Sequence, residues 1–302
     1  MPEKTAVPEF QYVPGKKFVV SDEMMKAYEE DGLILVRGLM TKPELDKLEL
    51  CLQNGEVVKH AFDLPDDKAS VKMVIWNHPG DDYTGMIGRM ERIVDTVETL
   101  LGGEVYHYHT KIVLKEALTG GSFAWHQDYG YWYKNGLLFP DLMSVSIAMD
   151  DSDMENGCLR VIRGSHKLGR IDHGRVGGQN GADTDRIVEI KKVMEEYNVV
   201  LKAGDAIFFH CNVLHTSAPN TSTRRRYAII PCYNRVTNDA YFDHHHARVT
   251  KLNKVPDSAL ETCNEFRNME GKWFMDPAID KTIIAKKVNK DVESKIEQPS
   301  ES

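Results

Sequence analysis

The chain has 302 residues, 41% of them hydrophobic, so it is long enough to bury a substantial core in one large domain or two ordinary ones. Its formal net charge of −8 argues against a nucleic-acid or anionic-membrane surface beyond a local patch. No apolar run approaches the roughly 18 residues that span a bilayer, and no apolar signal segment opens the chain. We expect a cytoplasmic globular protein whose five cysteines stay reduced.

The first hundred residues predict an α-rich portion. Residues 1–20 carry three prolines without periodicity, so we expect an extended arm and ordered structure from Ser21 onwards. The predicted elements are a helix over 21–31, a strand over 33–36, a helix over 41–53 and a helix over 84–101. The second helix opens with the capping-box spacing of Thr41 and Glu44.

After Gly103 the pattern changes to short β-type runs separated by turn residues. The predicted strands are 105–115, 123–128, 143–149, 158–162, 199–201, 206–210, 215–217 and 227–233. Such a series favours a sandwich or a barrel. The insertion 164–198 includes a predicted helix over 184–197, and we interpret it as a lid because long loops in compact domains are usually functional or disordered.

The stretch SFAWHQDYGYW, residues 122–132, places His126 and Asp128 two positions apart. In a strand such residues point to the same face, so both side chains are able to reach one ion. The motif alone is weak, since a chain with 12 histidines and 46 acidic residues contains about two matches by chance. His215, at the end of a downstream apolar segment, offers a third ligand. Two histidines and one carboxylate form the facial arrangement of non-haem iron oxygenases.

An arginine near the third ligand adds a second signal. If residues 218–223 form a hairpin connection, constant-sum pairing places Arg226 opposite His215 and Arg224 opposite Ser217. A buried arginine beside a metal needs an anion, and a dicarboxylate that chelates iron at its other end supplies one. That ligand would be 2-oxoglutarate, with Arg224 as the alternative anchor if the register differs.

The order of these motifs resembles the phytanoyl-CoA dioxygenase family. The motifs are H-x-D at 126–128, N-G-x-L-x-V-I-x-G-S-H at 156–166 and H-x-S-x-x-N-x-S at 215–222, followed by Arg226. Within that family, S-F-x-W-H-x-D-Y-x-x-W is similar to the ectoine hydroxylase-like members. The resemblance implies a mainly β fold with flanking helices around a double-stranded β-helix core, a jelly roll of the cupin type.

The same resemblance implies roles for named residues. The implied metal ligands and catalytic residues are His126, Asp128 and His215; the implied cofactor-binding residues are Arg226, Ser217, Phe123 and His109; the implied substrate residues are Trp132, Tyr129 and Tyr131. Plain core is the usual place of such aromatic residues, but their interleaving with Gly130 just past two metal ligands is also compatible with a substrate wall.

The expected activity is that of an Fe(II)- and 2-oxoglutarate-dependent dioxygenase, a hydroxylase of a small organic molecule that consumes O2 and releases succinate and CO2. The alternatives are an acyl-CoA hydroxylase that uses the basic region 163–175, a non-catalytic metal-binding jelly-roll protein, and a peptide hydroxylase. We expect no nucleic-acid or membrane partner, and a monomer or homodimer.

The expected domain organisation follows from these patterns. The segments are an arm over 1–20, a single dioxygenase domain over 21–285 comprising a helical part 21–102, a core 103–235 and a C-terminal extension 236–285, and a tail over 286–302.

Several other polar residues carry weaker signals. His107 shares the predicted strand face of His109, and the histidine run 244–246 is interpreted as a solvated loop. Lys115 is a candidate contact at the barrel rim. The remaining insertion residues, interpreted as a polar loop, are Arg170, His173, Arg175 and Gln179.

Overall fold

The structure is a computed structural model that describes residues 7–53, 56–65 and 70–277, so the predicted tail lies outside the described residues. The helices are α1 Asp22–Asp31, α2 Lys42–Gln53, α3 Tyr83–Ile87, α4 Glu91–Leu101, α5 Asp128–Trp132, α6 Thr184–Val193 and α7 Ala259–Thr262. The strands are β1 Glu9–Gln11, β2 Leu33–Arg37, β3 Phe62–Pro65, β4 Ser70–Asn77, β5 Val105–Lys115, β6 Phe123–His126, β7 Leu142–Ala148, β8 Leu159–Ile162, β9 His173–Val176, β10 Gln179–Ala182, β11 Glu196–Val199, β12 Ala206–His210, β13 His215–Ser217, β14 Arg226–Arg235 and β15 Trp273–Phe274.

Two sheets form the core of the molecule. The larger one runs β1-β2-β12-β7-β14-β5-β4-β15, with β3 beside β4, and the smaller one runs β11-β8-β13-β6. Buried side chains of both sheets meet in one cluster, where Leu35 and Ile207 of the larger sheet pack with Val161 of the smaller. Neighbouring strands are far apart in sequence, as in a jelly roll. The predicted double-stranded β-helix is therefore confirmed.

Strand β7 shows how the sequence separates the two faces of the larger sheet. Val145 and Ile147 belong to the core cluster that also contains residues of α1, α2 and α4. Ser144 and Ser146 alternate with them and point to the interior between the sheets, because successive side chains of a strand face opposite ways. The helices thus cover one face of the sheet, and the other face is left for the site.

The predicted helix over 84–101 is wrong, since the structure has two helices, α3 and α4. The break lies at Met90, whose backbone is extended with ψ 134°. There the C-terminal segment forms a β-bridge: the Glu91 amide donates to the Val255 carbonyl, and the Val255 amide donates to Arg89. A long-range contact overrides the helical periodicity that the local sequence shows.

Ordered structure begins before Ser21, contrary to expectation. Strand β1 pairs in parallel with β2, and Val7 is 1% exposed. The Tyr12 hydroxyl accepts a hydrogen bond of 3.1 Å from the buried Arg92 guanidinium. The proline-rich composition of this segment did not predict these contacts, because they are made with residues of the folded core.

The C-terminal segment folds back onto the same core. Strand β15 pairs with β4, and the ammonium of Lys272 lies 2.5 Å from Asp82, with both side chains fully buried. A buried pair of this kind is costly to break from one side, which holds the segment in place. In the described part of the chain, no helix is long and apolar enough to cross a membrane.

Candidate metal centre and its two cavities

Strand β6 and helix α5 position the H-x-D motif. The strand ends at His126, two residues before the end of the predicted strand over 123–128, and Asp128 is the first residue of the helix. Gln127 between them is still extended, with φ −108° and ψ 137°, so the two flanking side chains point the same way. His215 opens β13, and its Cα pairs directly with that of His126.

The three side chains form a possible metal site. One ligand atom from each of His126, Asp128 and His215 can be chosen so that all lie within 4.8 Å of one another. The Nδ1 atoms of the two imidazoles lie 2.7 Å from the Ala124 carbonyl and 2.9 Å from the Val213 carbonyl. Because a carbonyl only accepts, each Nδ1 carries the hydrogen and each Nε2 presents a lone pair to the centre. This donor set fits iron(II) in a facial triad.

The protonation states also suit a metal. Burial lowers the pKa of His126 and of His215, which favours the neutral, ligating form. Burial opposes the ionised form of Asp128, but the charge of Lys111, the two imidazoles and a 2.6 Å hydrogen bond from Ser144 hold the pKa of this carboxyl well below its ordinary value. The site therefore presents two neutral rings and one carboxylate.

The first cavity beside this cluster, the arginine cavity, contains the buried side chain of Arg226 together with Ser217, Lys111 and Phe123. The guanidinium donates to Ser152 Oγ at 3.3 Å, and among the described residues no carboxylate forms an ion pair with it. Burial lowers the pKa of this arginine to about 10. A buried cation without a counter-ion is unfavourable, so the cavity is suited to an anionic ligand.

The predicted pairing of Arg226 opposite His215 is wrong. Strand β13 pairs with β6 and β8 in the smaller sheet, whereas β14 pairs with β5 and β7 in the larger sheet, where Arg226 lies opposite Lys115. The intervening residues cross from one sheet to the other and do not close a hairpin. Both side chains still face the interior. The alternative anchor, Arg224, is exposed and pairs with Asp153.

Lys115 and Ser217 meet at the wall of the arginine cavity. The Lys115 ammonium is fully buried, not at a rim, and donates to Ser217 Oγ at 2.8 Å and to the Ala218 carbonyl at 2.6 Å. Since an ammonium only donates, the hydroxyl of Ser217 acts as acceptor in that bond and can direct its own hydrogen elsewhere. The wall is therefore able to present a neutral donor beside the guanidinium.

The second cavity, the histidine cavity, is lined by His109, His246, Asn135, Trp132 and Tyr131, with apolar side chains around them. The two cavities share Lys111, Phe123 and His126, so they join at the candidate metal site.

The structure separates the residues that the sequence analysis grouped together. Of the predicted substrate residues, Tyr131 and Trp132 lie in the histidine cavity, whereas Tyr129 lines neither cavity and donates to the Leu137 carbonyl. Of the predicted cofactor residues, Phe123 lines both cavities, and His109 lines the histidine cavity, away from Arg226.

A β-bulge in β5 places His107 and His109 on opposite faces, so that His109 alone of the two lines the histidine cavity. His107 pairs with Tyr233 and His109 with Cys232, so Tyr108 is the extra residue. A bulge of one residue reverses the alternation of faces on one side of it. His107 therefore packs against Tyr233 on the helix side and bonds Thr110, contrary to the predicted shared face with His109.

Three polar residues that line the histidine cavity, His246, Lys111 and Asn135, were missed in the sequence. The run 244–246 is not simply a solvated loop, because His246 is buried and stacks on His109 with 4.9 Å between ring centroids. No local pattern marks His246, which comes from a distant irregular segment. Lys111 had a signal, since it stands two residues from His109 on the same strand; its ammonium lies 3.2 Å from Asp128 Oδ1.

The insertion covers the site with the hairpin β9–β10. Gln179 accepts from the Ala124 amide and donates to Ser122, which attaches the hairpin to β6. Tyr131 donates to the Asn180 carbonyl at 2.6 Å. The predicted helix of the insertion is present as α6, ending earlier than expected. His173, interpreted as a polar loop residue, is buried and accepts from the Gln127 amide.

Comparison with known proteins agrees with this geometry. The sequence pattern of the phytanoyl-CoA dioxygenase family matches residues 28–228. The chain belongs to the phytanoyl-CoA dioxygenase family. It is 32% identical to the L-proline trans-4-hydroxylase of Streptomyces griseoviridis over 233 residues, which are 70% of this chain and 85% of that protein. It is 26% identical to an ectoine dioxygenase of Bordetella parapertussis over 72% of this chain and 77% of that protein.

Two solved structures share the fold of this chain. The crystal structure of EctD from S. alaskensis with bound Fe superposes with a TM-score of 0.67 at 20% identity, covering 82% of this chain and 90% of that one. The epimerase SnoN, crystallised with Fe3+, alpha-ketoglutarate and nogalamycin RO, gives a TM-score of 0.62 at 21% identity, over 72% of this chain and 85% of that one.

Family membership and the His-Asp-His cluster together establish the enzyme class. The protein is an oxidoreductase of the iron(II)- and 2-oxoglutarate-dependent dioxygenase class. The enzyme class and the cofactors expected from the sequence are thus confirmed.

Proposed function

We propose that this dioxygenase hydroxylates a small free amino or imino acid, with the keto acid in the arginine cavity and the substrate in the histidine cavity. The observation that carries the proposal is the meeting of these two cavities at one His-Asp-His cluster. One cavity holds a buried guanidinium that has no carboxylate partner in the described residues, and the other holds polar and aromatic side chains. A relative 32% identical to the chain is named a proline hydroxylase, which supports a substrate of that size.

In this proposal His126, Asp128 and His215 hold iron(II) through the two Nε2 atoms and the carboxylate. Bound iron supplies the oxidation chemistry, in which O2 and 2-oxoglutarate are consumed, succinate and CO2 are released, and one oxygen atom enters a substrate C–H bond. The protein contributes position and environment. Ser144 and Lys111 orient the carboxylate, and the backbone carbonyls orient the imidazoles.

The arginine cavity would bind the keto acid at both ends. Arg226 and the hydroxyl of Ser217 are placed to hold the distal carboxylate, since a guanidinium and a neutral donor match its two oxygens. Lys111 lines the same cavity beside Asp128, so its ammonium is placed to neutralise the carboxylate at the metal end. The keto acid would thus replace solvent around two buried cations.

The acyl-CoA alternative finds little support in the described residues. Its phosphates require a basic surface near 163–175, but Arg163 pairs with Asp31 and Glu195, and Arg170 pairs with Asp172. These guanidinium groups are already neutralised within the chain. A long acyl chain would also have to pass the C-terminal segment, which supplies His246 to the histidine cavity.

Succinate release from the iron-loaded enzyme tests the proposal. The panel would contain L-proline, L-pipecolic acid, ectoine and a medium-chain acyl-CoA, each with 2-oxoglutarate and O2. We expect one or more of the free amino or imino acids to stimulate succinate release and to yield a product with one added oxygen atom. Stimulation by the acyl-CoA alone, or by none of the compounds, would contradict the proposal.

A further inference from the structure

The histidine cavity contains buried polar atoms without a hydrogen-bond partner in the described residues, and one of them is an amide oxygen that only accepts. Asn135 donates its amide nitrogen to the Tyr108 hydroxyl at 3.1 Å, and its buried Oδ1 has no hydrogen-bond partner in the described residues. Both ring nitrogens of His109 are also buried without a partner there, and the neutral ring offers one donor and one acceptor. Buried polar atoms are normally hydrogen-bonded, so an unpartnered set in a cavity is evidence for a missing ligand.

The tautomer of His246 is fixed by its neighbour Asn77. The amide nitrogen of Asn77 donates to the His245 carbonyl, which turns Asn77 Oδ1 towards His246 Nδ1 at 3.1 Å. Because a carbonyl oxygen only accepts, Nδ1 of His246 carries the hydrogen. Burial, reinforced by His109, lowers the pKa of His246 well below its ordinary value, so the ring is neutral and Nε2 is an acceptor.

The charges around the cavity favour a cation over an anion. Lys111 is the one ammonium or guanidinium group among the lining residues described, and it pairs with Asp128. A carboxylate placed against Asn135 and His246 would face lone pairs. A protonated amine would instead donate hydrogen bonds to them, beside the aromatic face of Trp132.

We propose that the histidine cavity recognises its substrate by a protonated primary or secondary amine, which donates to Asn135 Oδ1 and His246 Nε2. This inference rests on the proposed function and narrows it. The substrate would be an amino or imino acid whose amine group lies against Asn135 and His246. An acid with an acylated nitrogen would not bind in this way. His246 lies beyond the family match at 28–228, so the C-terminal segment would set a specificity of this chain.

Ligand binding to the holoenzyme tests the proposal without turnover. Isothermal titration of the iron- and 2-oxoglutarate-loaded protein under anaerobic conditions would compare L-proline, L-prolinamide and N-acetyl-L-proline. We expect L-proline and L-prolinamide to bind comparably, and N-acetyl-L-proline at least about tenfold more weakly because it cannot donate to buried acceptors. Equal binding of the acetylated compound, or binding of neither amine, would overturn amine recognition.

Two substitutions of Asn135 distinguish a bound amine from a bound carboxylate by their effect on ligand affinity. Asn135→Leu removes the acceptor and is expected to weaken L-proline binding about tenfold, while Asn135→Asp adds a negative charge and is expected to preserve or tighten it. A carboxylate at this position would make Asn135→Asp the weaker binder, which would contradict the proposal. Thermal melting confirms folding, and Asn135→Asp remains informative if the leucine variant does not fold.

The His246→Phe variant keeps the stacked ring but removes Nε2. We expect it to weaken the binding of L-proline and to leave the binding of 2-oxoglutarate unchanged. An unchanged L-proline affinity would overturn the role of His246. Binding of amines without any hydroxylated product would refute the proposed function and still support amine recognition, so the two failures are distinguishable.

Discussion

The arginine cavity and the histidine cavity meet at the same cluster but balance charge in opposite ways. In the first, the buried guanidinium of Arg226 lacks a counter-ion in the described residues, and Lys115 directs the hydroxyl of Ser217. In the second, the neutral His109 ring and the Asn135 Oδ1 atom are buried without a hydrogen-bond partner in the described residues, beside Trp132 and Tyr131. Complementary charge determines what each cavity accepts, because an unpaired buried group is costly until a ligand meets it. We therefore propose that the anionic co-substrate binds in the arginine cavity and the substrate in the histidine cavity.

The largest effect is expected from Asp128→Ala, which removes the feature that both cavities share. Loss of the carboxylate leaves two neutral imidazoles, too few ligands for a facial triad. Succinate formation should be abolished with and without substrate, and metal analysis should show loss of bound iron. Asp46→Ala, on the exposed face of α2, is the matched control and should retain activity. Turnover by Asp128→Ala would refute the ligand assignment.

Arg226→Met should weaken the binding of 2-oxoglutarate in the arginine cavity and leave substrate binding in the histidine cavity unchanged. Truncating one side of a buried charge pair costs about 3 kcal/mol, so half-saturation by 2-oxoglutarate should rise roughly a hundredfold. The exposed Arg224 is two residues away and pairs with Asp153. Arg224→Met should therefore change half-saturation by 2-oxoglutarate little. Equal effects of the two substitutions, measured by succinate release against 2-oxoglutarate concentration, would argue against a single anchor.

Lys115→Met is expected to act through Ser217. Without the ammonium, the hydroxyl loses the 2.8 Å bond that directs it, and half-saturation by 2-oxoglutarate should rise about tenfold. The substrate KM should not change, since Lys115 does not line the histidine cavity. The exposed Lys202, paired with Asp151, provides the control Lys202→Met. A change confined to the substrate KM would contradict the role of Lys115 in 2-oxoglutarate binding.

The smallest effect is expected from Tyr131→Phe, which deletes one hydrogen bond between the histidine cavity and the hairpin β9–β10. A buried hydrogen bond contributes about 1 kcal/mol, so the substrate KM should rise roughly fivefold while half-saturation by 2-oxoglutarate stays the same. Tyr133→Phe, at a half-exposed ring two residues on, serves as control. A KM unchanged by Tyr131→Phe would show that the hairpin does not help to position substrate.

The arginine cavity was largely predictable because its residues lie in short motifs. The H-x-D pair keeps its geometry through the extended Gln127, although Asp128 belongs to a helix. Arg226 faces the interior as predicted, yet the hairpin argument for it was wrong, because β13 and β14 belong to different sheets. The predicted direction of the Arg226 side chain was still right. The two-residue periodicity of a strand determines which face a side chain lies on, but not which strand is its neighbour.

The histidine cavity was much less predictable, because long-range contacts build it. The bulge at Tyr108 depends on the pairing of β5 with β14, so the sequence of β5 alone predicted that His107 and His109 share a face. His246 arrives from an irregular segment that has no periodicity to interpret. The break between α3 and α4 has the same origin, in the bridge from Met90 to Val255.

An anaerobic crystal structure with iron(II) and 2-oxoglutarate tests the separation of the two cavities most directly. We expect density for iron between His126, Asp128 and His215, and the distal carboxylate of the keto acid within hydrogen-bond distance of Arg226 and Ser217, with the histidine cavity left for substrate. A keto acid bound against His109 and His246, or a guanidinium of Arg226 turned away from it, would contradict the account.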